Sequence, residues 1–218
     1  MALEKAKAFT TKDTKGHAGK MHRRIFGFIA GAVLVLVGVA AGQKSAQKLP
    51  HVLIRTDKGE IEVEVDAQHA PITAANFLRY VDEHFYDGGS FYRAVRPDNQ
   101  KDKKIPIAVI QADALDEKQK QVFAPIPLER TNQTGLKHRD GEISMARDGP
   151  DTATSSFFIC IGDQAQLDFG GFRNPDKQGF AAFGRVVRGM DVVRKIQMGR
   201  AKGEALTPAV RMVSVRRK

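Results

Sequence analysis

Beyond about residue 50 the chain consists largely of short stretches in which apolar and polar residues alternate. Residues 51–56 and 60–65 are the first two, and Asp57-Lys58-Gly59 between them is typical of a hairpin turn. In the second stretch apolar residues alternate with glutamates, which predicts a strand with one buried face. The same criteria predict further strands at residues 91–95, 107–111, 142–146, 157–161, 180–187 and 210–215.

Two stretches have the spacing of an amphipathic helix instead. Pro71 suits the first turn of a helix, and residues 74–84 place three apolar side chains on one face. Residues 190–198 repeat this spacing, whereas 96–106 is predicted as a loop and 112–122 as a loop or a helical turn. Many short strands with two helices and no strand–helix alternation predict a mainly β fold, a closed antiparallel β-barrel with helices at its ends.

The N-terminal region follows a different pattern. Residues 25–41 are apolar and uncharged, basic residues precede them, and small residues at 39–41 resemble a processing site. This arrangement is typical of a signal peptide cleaved after Ala41, but the run also reaches the lower length limit of a membrane-spanning helix. A cleaved signal and a retained anchor both place the C-terminal body across the membrane. A buried core helix is disfavoured by the basic flank and the polar segment that follows.

These patterns divide the 218-residue chain into four parts. Residues 1–24 are expected to form a basic, disordered leader in which Met21 is a candidate true start, and 25–41 are expected to form an apolar helix that is either the signal or the anchor. Residues 42–50 form a linker, and 51–218 form one globular domain. The domain is therefore expected to be periplasmic or secreted, or anchored in the inner membrane and exposed outside the cytoplasm.

The net charge of +10 does not indicate a nucleic-acid-binding protein. Residues 1–24 carry seven Lys or Arg and two Asp or Glu, so much of the excess belongs to the targeting segment. The body shows no basic stripe with interleaved aromatic residues, and we expect no nucleic-acid partner.

Cysteine and histidine give no sign of a disulfide or a metal site. Cys160 is the only cysteine, which excludes an internal disulfide, and its apolar neighbours predict a small core residue rather than a nucleophile. The histidines have no metal-ligand spacing, and no phosphate-binding loop is present. We therefore expect neither a metal nor a cofactor.

Several segments of the body, in order, resemble the cyclophilin family of peptidyl-prolyl isomerases. They are Gly59-Glu60-Ile61, Ala70-Pro71-Ile72-Thr73-Ala74-Ala75-Asn76-Phe77, Phe85-Tyr86-Asp87-Gly88, Phe91-Tyr92-Arg93-Ala94-Val95, Ile110-Gln111, the run from Ser144 to Ala153, Ser155-Ser156-Phe157-Phe158-Ile159 and Phe183-Gly184-Arg185-Val186-Val187. The resemblance covers about residues 51–216. It implies an eight-stranded antiparallel barrel capped by two helices, with a groove for proline-containing polypeptides on its outside.

The resemblance also implies roles for individual residues. Arg93 matches the catalytic arginine of the family, and Gln111 matches the glutamine beside it that binds the substrate backbone. Phe158 matches the floor of the proline pocket. The remaining positions expected to bind substrate are Val109, Ala146, Arg147, Leu167 and Phe180.

The chain departs from the family pattern around this groove. Ala108-Val109 replaces Phe-Met, Ser156 replaces Gln, Gln166 falls near a Trp or Phe position, Phe180 replaces His or Tyr, Ala112-Asp113 replaces a Gly pair, and residues 96–106 form an insertion. These departures alter the pocket.

Three functions therefore remain open for the domain. They are an isomerase that assists folding of exported proteins, a proline-peptide binding module without turnover, and a structural spacer. A monomer is expected, with membrane contact only if residues 25–41 are retained.

Overall fold

The computed structural model describes residues 48–100, 104–115 and 123–218. The predicted leader, the apolar segment 25–41 and most of the linker lie outside the described residues, as does most of the predicted loop or helical turn at 112–122. Within the described ranges, no helix is long and apolar enough to cross a membrane.

Nine strands and three α-helices form the described part of the chain. The strands are β1 (His51–Thr56), β2 (Gly59–Val65), β3 (Ser90–Val95), β4 (Val109–Asp113), β5 (Glu142–Met145), β6 (Phe157–Cys160), β7 (Ala181–Arg188), β8 (Ala201–Lys202) and β9 (Ala205–Arg217). The helices are α1 (Pro71–Asp82), α2 (Thr131–Thr134) and α3 (Met190–Gln197). Single turns of 3₁₀-helix occur at Pro97–Asn99 and Ala165–Leu167.

Eight of these strands close into a barrel. The strand order is β1-β2-β7-β5-β6-β4-β3-β9, and β9 pairs again with β1, every pairing being antiparallel. The two-residue strand β8 adds a short hairpin to the start of β9. The predicted mainly β fold with a closed eight-stranded barrel and two principal helices, α1 and α3, is confirmed. The one-turn α2 and the strand β8 were not predicted, because elements so short show no periodicity.

The barrel interior is filled by aromatic and branched side chains from alternate strand positions. Phe157 on β6 lies edge-on to Tyr86, with ring centroids 5.3 Å apart, and edge-on to Phe77 of α1 at 5.5 Å. From α3, Val193 and Ile196 are fully buried in the same core. Burial of these helix faces joins both helices to the barrel core.

The amino end of α1 depends on a distant residue. No side chain adjacent to the first turn caps it. Instead the Glu129 carboxylate accepts hydrogen bonds from the backbone N–H groups of Ile72, at 3.1 Å, and Thr73, at 2.7 Å. A carboxylate suits this position because the N–H groups of a first helical turn have no partner within the helix.

A second apolar cluster lies on the outer face of the barrel. It consists of Val95, Ile107, Val109, Phe158, Cys160 and Leu167, with Ala146 and Phe180 packed against it. Cys160 is fully buried there, and burial raises the pKa of its thiol well above the usual value. The prediction of a small core residue is confirmed, and the cluster supports the groove described below.

Glu142 is expected to make the stability of the fold depend on pH. Burial raises the pKa of this carboxyl from 4.5 to about 8, although nearby Arg185 opposes the shift. Between these values the folded chain binds a proton that the unfolded chain releases, so stability is expected to fall as pH rises. We expect a decrease in unfolding free energy of up to about 1.4 kcal/mol per pH unit. Urea unfolding of the wild type and Glu142→Gln between about pH 5 and 8 tests this, and an equal pH slope in the two proteins would contradict it.

Candidate active site

Three of the predicted residues lie in one row across neighbouring strands. Arg93 on β3 is the direct partner of Gln111 on β4, and Gln111 is the direct partner of Phe158 on β6. Directly paired residues share a face of a sheet. The row therefore lies on the outer face of the barrel, opposite to the buried neighbours Ile110 and Phe157.

An irregularity in β3 directs Arg93 outward. Phe91 pairs with Ala112 and Arg93 pairs with Gln111, so Tyr92 is an extra residue on this strand. In a regular strand, residues 91 and 93 would face the same side. Because the bulge inserts one residue, Phe91 points into the core and Arg93 points to the outside.

Arg93 is held by two side chains. Its Nη1 donates to Gln111 Oε1 at 2.7 Å, and its Nε and Nη2 donate to Glu204 Oε2 at 2.8 and 2.6 Å. Glu204 lies in the turn between β8 and β9, and its carbonyl accepts the Ala94 N–H at 2.9 Å. A guanidinium has five N–H donors, so two of them have no acceptor among the described residues. The sequence did not indicate Glu204, which lies 111 residues from Arg93 in a turn of unremarkable composition.

Gln111 is oriented by a further hydrogen bond. Its Nε2 donates to Ser156 Oγ at 3.0 Å, and that hydroxyl donates to the Ala112 carbonyl at 3.2 Å. Since the amide nitrogen is bound to Ser156, the amide oxygen faces Arg93. Ser156, one of the departures from the family pattern, thus links the Gln111 side chain to the Ala112 carbonyl of the same strand.

Phe158 forms the base of an apolar pocket. It is 5% exposed, and Phe180 packs edge-on against it with ring centroids 5.3 Å apart. On another side the His138 ring stacks on Phe158 at 5.9 Å. Burial lowers the pKa of His138 even though Asp168 Oδ1 lies 2.8 Å from Nδ1. The Phe180 N–H donates to the carbonyl of Leu167, which joins the two residues of the pocket wall.

Arg147 supports the pocket with its side chain. Its guanidinium donates to both carboxylate oxygens of Asp176, at 2.8 and 3.0 Å, and to the Gly179 carbonyl at 2.8 Å. The same group lies 5.1 Å from the centroid of the Phe180 ring. The resemblance implies a main-chain contact to substrate at Arg147. The side chain is committed to Asp176 and Phe180, and next to it the Ala146 N–H donates to the Ser156 carbonyl at 2.9 Å.

All eight predicted site residues line one groove of about 450 Å³. Its other lining residues include Tyr92, Ile107, Asp113, Asp148, Arg173 and Asn174. Of the departures from the family pattern, Ala108 and Gln166 do not line it, and Gln166 Nε2 instead donates to the Pro106 carbonyl at 2.8 Å. In the described ranges no group of three or more His, Cys, Asp or Glu side chains could hold a metal ion.

Arg173 was not predicted from the sequence. It is half-buried in the groove wall, and its Nη1 donates to Gln100 Oε1 at 3.2 Å and to the Ile105 carbonyl at 2.7 Å. Both acceptors belong to the inserted segment 96–106. A lone arginine in a polar loop carries no sequence signal that distinguishes it from a solvated residue.

A family model and characterised relatives match most of the chain. The model of the family described as "Cyclophilin type peptidyl-prolyl cis-trans isomerase/CLD" matches residues 51–217. Peptidyl-prolyl cis-trans isomerase A of Dickeya dadantii is 36% identical over 171 residues, which cover 77% of this chain and 83% of that protein. Peptidyl-prolyl cis-trans isomerase B of Escherichia coli is 34% identical over 147 residues, 67% of this chain and 83% of that protein.

Solved structures show the same fold. A crystal structure of a Cryptosporidium parvum cyclophilin type peptidyl-prolyl cis-trans isomerase superimposes with a TM-score of 0.62 at 19% identity, covering 78% of this chain and 98% of that one. A crystal structure of the same protein in the presence of the dipeptide Ala-Pro gives 0.61 at 20% identity, covering 76% and 96%. Together with the family match over residues 51–217, these likenesses show that the chain belongs to the cyclophilin-type peptidyl-prolyl cis-trans isomerases and is an enzyme of that family.

Proposed function

We propose that this isomerase accelerates X–Pro rotation in exported polypeptides and that Arg93, Gln111 and Phe158 carry the reaction. Amide resonance sets a barrier of roughly 20 kcal/mol to this rotation. No bond is made or broken, so the groove has only to bind the proline, oppose resonance and exclude water. The observation that carries the proposal is the row of these three side chains on β3, β4 and β6, beside an apolar pocket.

Arg93 is proposed to act on the prolyl nitrogen. A donor directed at this atom engages its lone pair and withdraws it from the amide, which lowers the barrier to rotation. Two guanidinium N–H groups remain for this contact beyond those bound to Gln111 and Glu204. One charged hydrogen bond contributes about 1.5–3 kcal/mol, so pocket desolvation and orientation must supply the rest.

Phe158 and Gln111 are proposed to hold the two sides of the prolyl bond. Phe158, Phe180 and Leu167 offer apolar surface to the proline ring. The Gln111 amide oxygen keeps one lone pair beyond its bond to Arg93, and this lone pair suits a backbone N–H of the substrate. With the ring held in the pocket, the preceding carbonyl is the part that rotates.

Glu204 is proposed as a positioning residue for Arg93. We expect Glu204→Ala to lower kcat by about tenfold with a smaller change in KM, because the guanidinium loses the carboxylate oxygen that accepts two of its N–H groups and with it its preorganisation. Glu204→Gln should recover part of kcat, since an amide oxygen still accepts one N–H. Steady-state kinetics of both variants test this, and wild-type kcat in the alanine variant would contradict it.

A proline-peptide isomerisation assay on the full chain tests the activity directly. The expected result is acceleration above the uncatalysed exchange, which takes tens to hundreds of seconds. Folded protein without acceleration would contradict the proposal. Peptide binding without acceleration would instead support the binding-module alternative, which rests on the departures at Ala108, Ser156 and Phe180.

The exported location is supported by residues 25–41 and the basic flank before them. We expect the protein in a periplasmic, secreted or inner-membrane fraction. Mass spectrometry of the mature N-terminus distinguishes cleavage after Ala41 from a retained anchor, and peptides upstream of Met21 would exclude that methionine as the start. A cytosolic protein with an intact N-terminus would contradict export.

A further inference from the structure

Three arginines line the groove, and they differ in what balances their charge. Arg93 donates to the Glu204 carboxylate and Arg147 donates to the Asp176 carboxylate. The two described hydrogen bonds of the Arg173 side chain go to neutral acceptors, the Gln100 amide oxygen and the Ile105 carbonyl. Within the described part of the chain, Arg173 is thus the groove arginine without a salt bridge.

The surroundings of Arg173 favour an added anion. Burial lowers the pKa of its guanidinium, the positive charge of Arg93 lowers it further, and Glu204 opposes both effects. A guanidinium stays charged at neutral pH in spite of such shifts. The groove therefore contains a partly desolvated positive charge that a carboxylate from a bound peptide would stabilise.

Arg173 is also held in place before any ligand arrives. Its acceptor Gln100 is 4% exposed, and its Nε2 donates to the carbonyls of Arg96, at 2.8 Å, and Ile107, at 2.6 Å, at the two ends of the inserted segment. The Arg173 backbone N–H donates to the Gln166 carbonyl at 3.2 Å. A side chain already ordered loses less entropy on binding than a mobile one.

The donors left over form a suitable binding group. Both described hydrogen bonds of the side chain use Nη1, so the edge formed by Nε and Nη2 has no acceptor among the described residues. That edge presents two parallel N–H groups, the arrangement that binds a carboxylate through two hydrogen bonds.

We propose that Arg173 is a specificity-determining residue that selects client segments with an acidic side chain close to the proline. The inference rests on the proposed function, because it requires a peptide in the Arg93–Gln111–Phe158 groove. The bound carboxylate would take the same place toward Arg173 that Glu204 and Asp176 take toward Arg93 and Arg147. Clients with glutamine at that position would bind without this contact.

The test uses pairs of proline peptides. The two members of a pair differ at one position, which is Glu in one peptide and Gln in the other. This position is moved in turn through the two residues before proline and the two residues after it. With the full chain, we expect one position at which the Glu peptide has a KM about fivefold lower than the Gln peptide, with equal kcat. An interaction present equally in the ground and transition states acts on KM. In Arg173→Gln the ratio of the KM of the Gln peptide to the KM of the Glu peptide should fall to about one. Added salt should reduce this ratio in the wild type.

Two further variants separate charge selection from loop support. Arg194→Gln removes an equal charge from an exposed ion pair with Asp140 outside the groove, and it should keep the wild-type ratio. Arg173→Lys keeps the charge but lacks the paired N–H edge, so it should keep only part of the wild-type preference for the Glu peptide. If Arg173→Gln slows both peptides equally and leaves the ratio unchanged, Arg173 only supports the inserted segment and the proposal is overturned.

A direct binding measurement tests the role of Arg173 independently of isomerase activity. Dissociation constants for the same peptide pairs, from fluorescence anisotropy, report the Glu preference even in the absence of turnover. Acceleration with a Glu-to-Gln ratio near one at every position would overturn the role of Arg173 alone. A Glu preference that depends on Arg173 without acceleration would overturn the catalytic proposal alone.

Discussion

Replacing Arg93 with alanine is expected to lower kcat/KM by about a hundredfold. The variant loses the donor proposed to engage the prolyl nitrogen, and a hundredfold loss corresponds to about 2.7 kcal/mol of transition-state stabilisation. The melting temperature should change little, because Arg93 and Glu204 are both partly exposed and such ion pairs contribute at most about 1 kcal/mol. The measurements are isomerisation kinetics and thermal unfolding of the same preparation.

Two variants make the Arg93 result specific. Arg93→Lys keeps the charge but lacks the planar fork that donates to Glu204 and Gln111 at fixed angles, so it should recover only a small part of the rate. Arg194→Ala, at the exposed pair with Asp140, should have wild-type kinetics. If Arg93→Ala retains more than about a third of wild-type kcat/KM, an effect far smaller than loss of a transition-state donor, the proposed catalytic role is wrong.

Neighbouring phenylalanines on β6 should separate stability from activity. Phe157 is fully buried in the barrel core against Phe77 and Tyr86, and Phe157→Ala is expected to cost about 3–5 kcal/mol of unfolding free energy. Activity per folded molecule should change little, because the side chain faces away from the groove. Denaturant unfolding and active-fraction-corrected kinetics measure the two effects.

Phe158→Ala should show the opposite balance. Its side chain lines the groove beside Phe180, so kcat/KM should fall by about tenfold as the proline ring loses its apolar contact. The stability loss should be smaller, about 2 kcal/mol, because the vacated space opens to the groove rather than forming a closed cavity. Equal losses of stability and equal activities in the two variants would contradict this assignment of faces.

Much of the fold could be predicted because it is encoded in local periodicity. Alternation along residues 60–65 predicted β2 and its buried face, and Pro71 predicted the start of α1, both of which the structure confirms. The strand count and the two principal helices then led to the barrel. Boundaries were less accurate, since β4 begins at Val109 rather than 107, and β9 begins at Ala205 rather than 210. Strand ends depend on the neighbouring strand, which a local pattern does not contain.

The eight predicted site residues came from the ordered resemblance, and the structure gathers all of them around one groove. Their partners did not follow from the sequence. Glu204 and Asp176 are ordinary loop carboxylates, and only folding brings them to Arg93 and Arg147. Arg173 became visible for the same reason, because its lack of a carboxylate partner is a property of the assembled groove.

Which segments become strands and helices follows from local sequence, because side-chain alternation and turn residues act between near neighbours. The side of the barrel that Arg93 faces depends instead on how β3 pairs with β4. Simple alternation places Arg93 on the same side as Phe91, inside the barrel, and the bulge at Tyr92 reverses it. The capping of α1 by Glu129 is of the same kind. Both depend on how distant segments pair and pack, and contacts between residues far apart in the chain exist only once the barrel has closed.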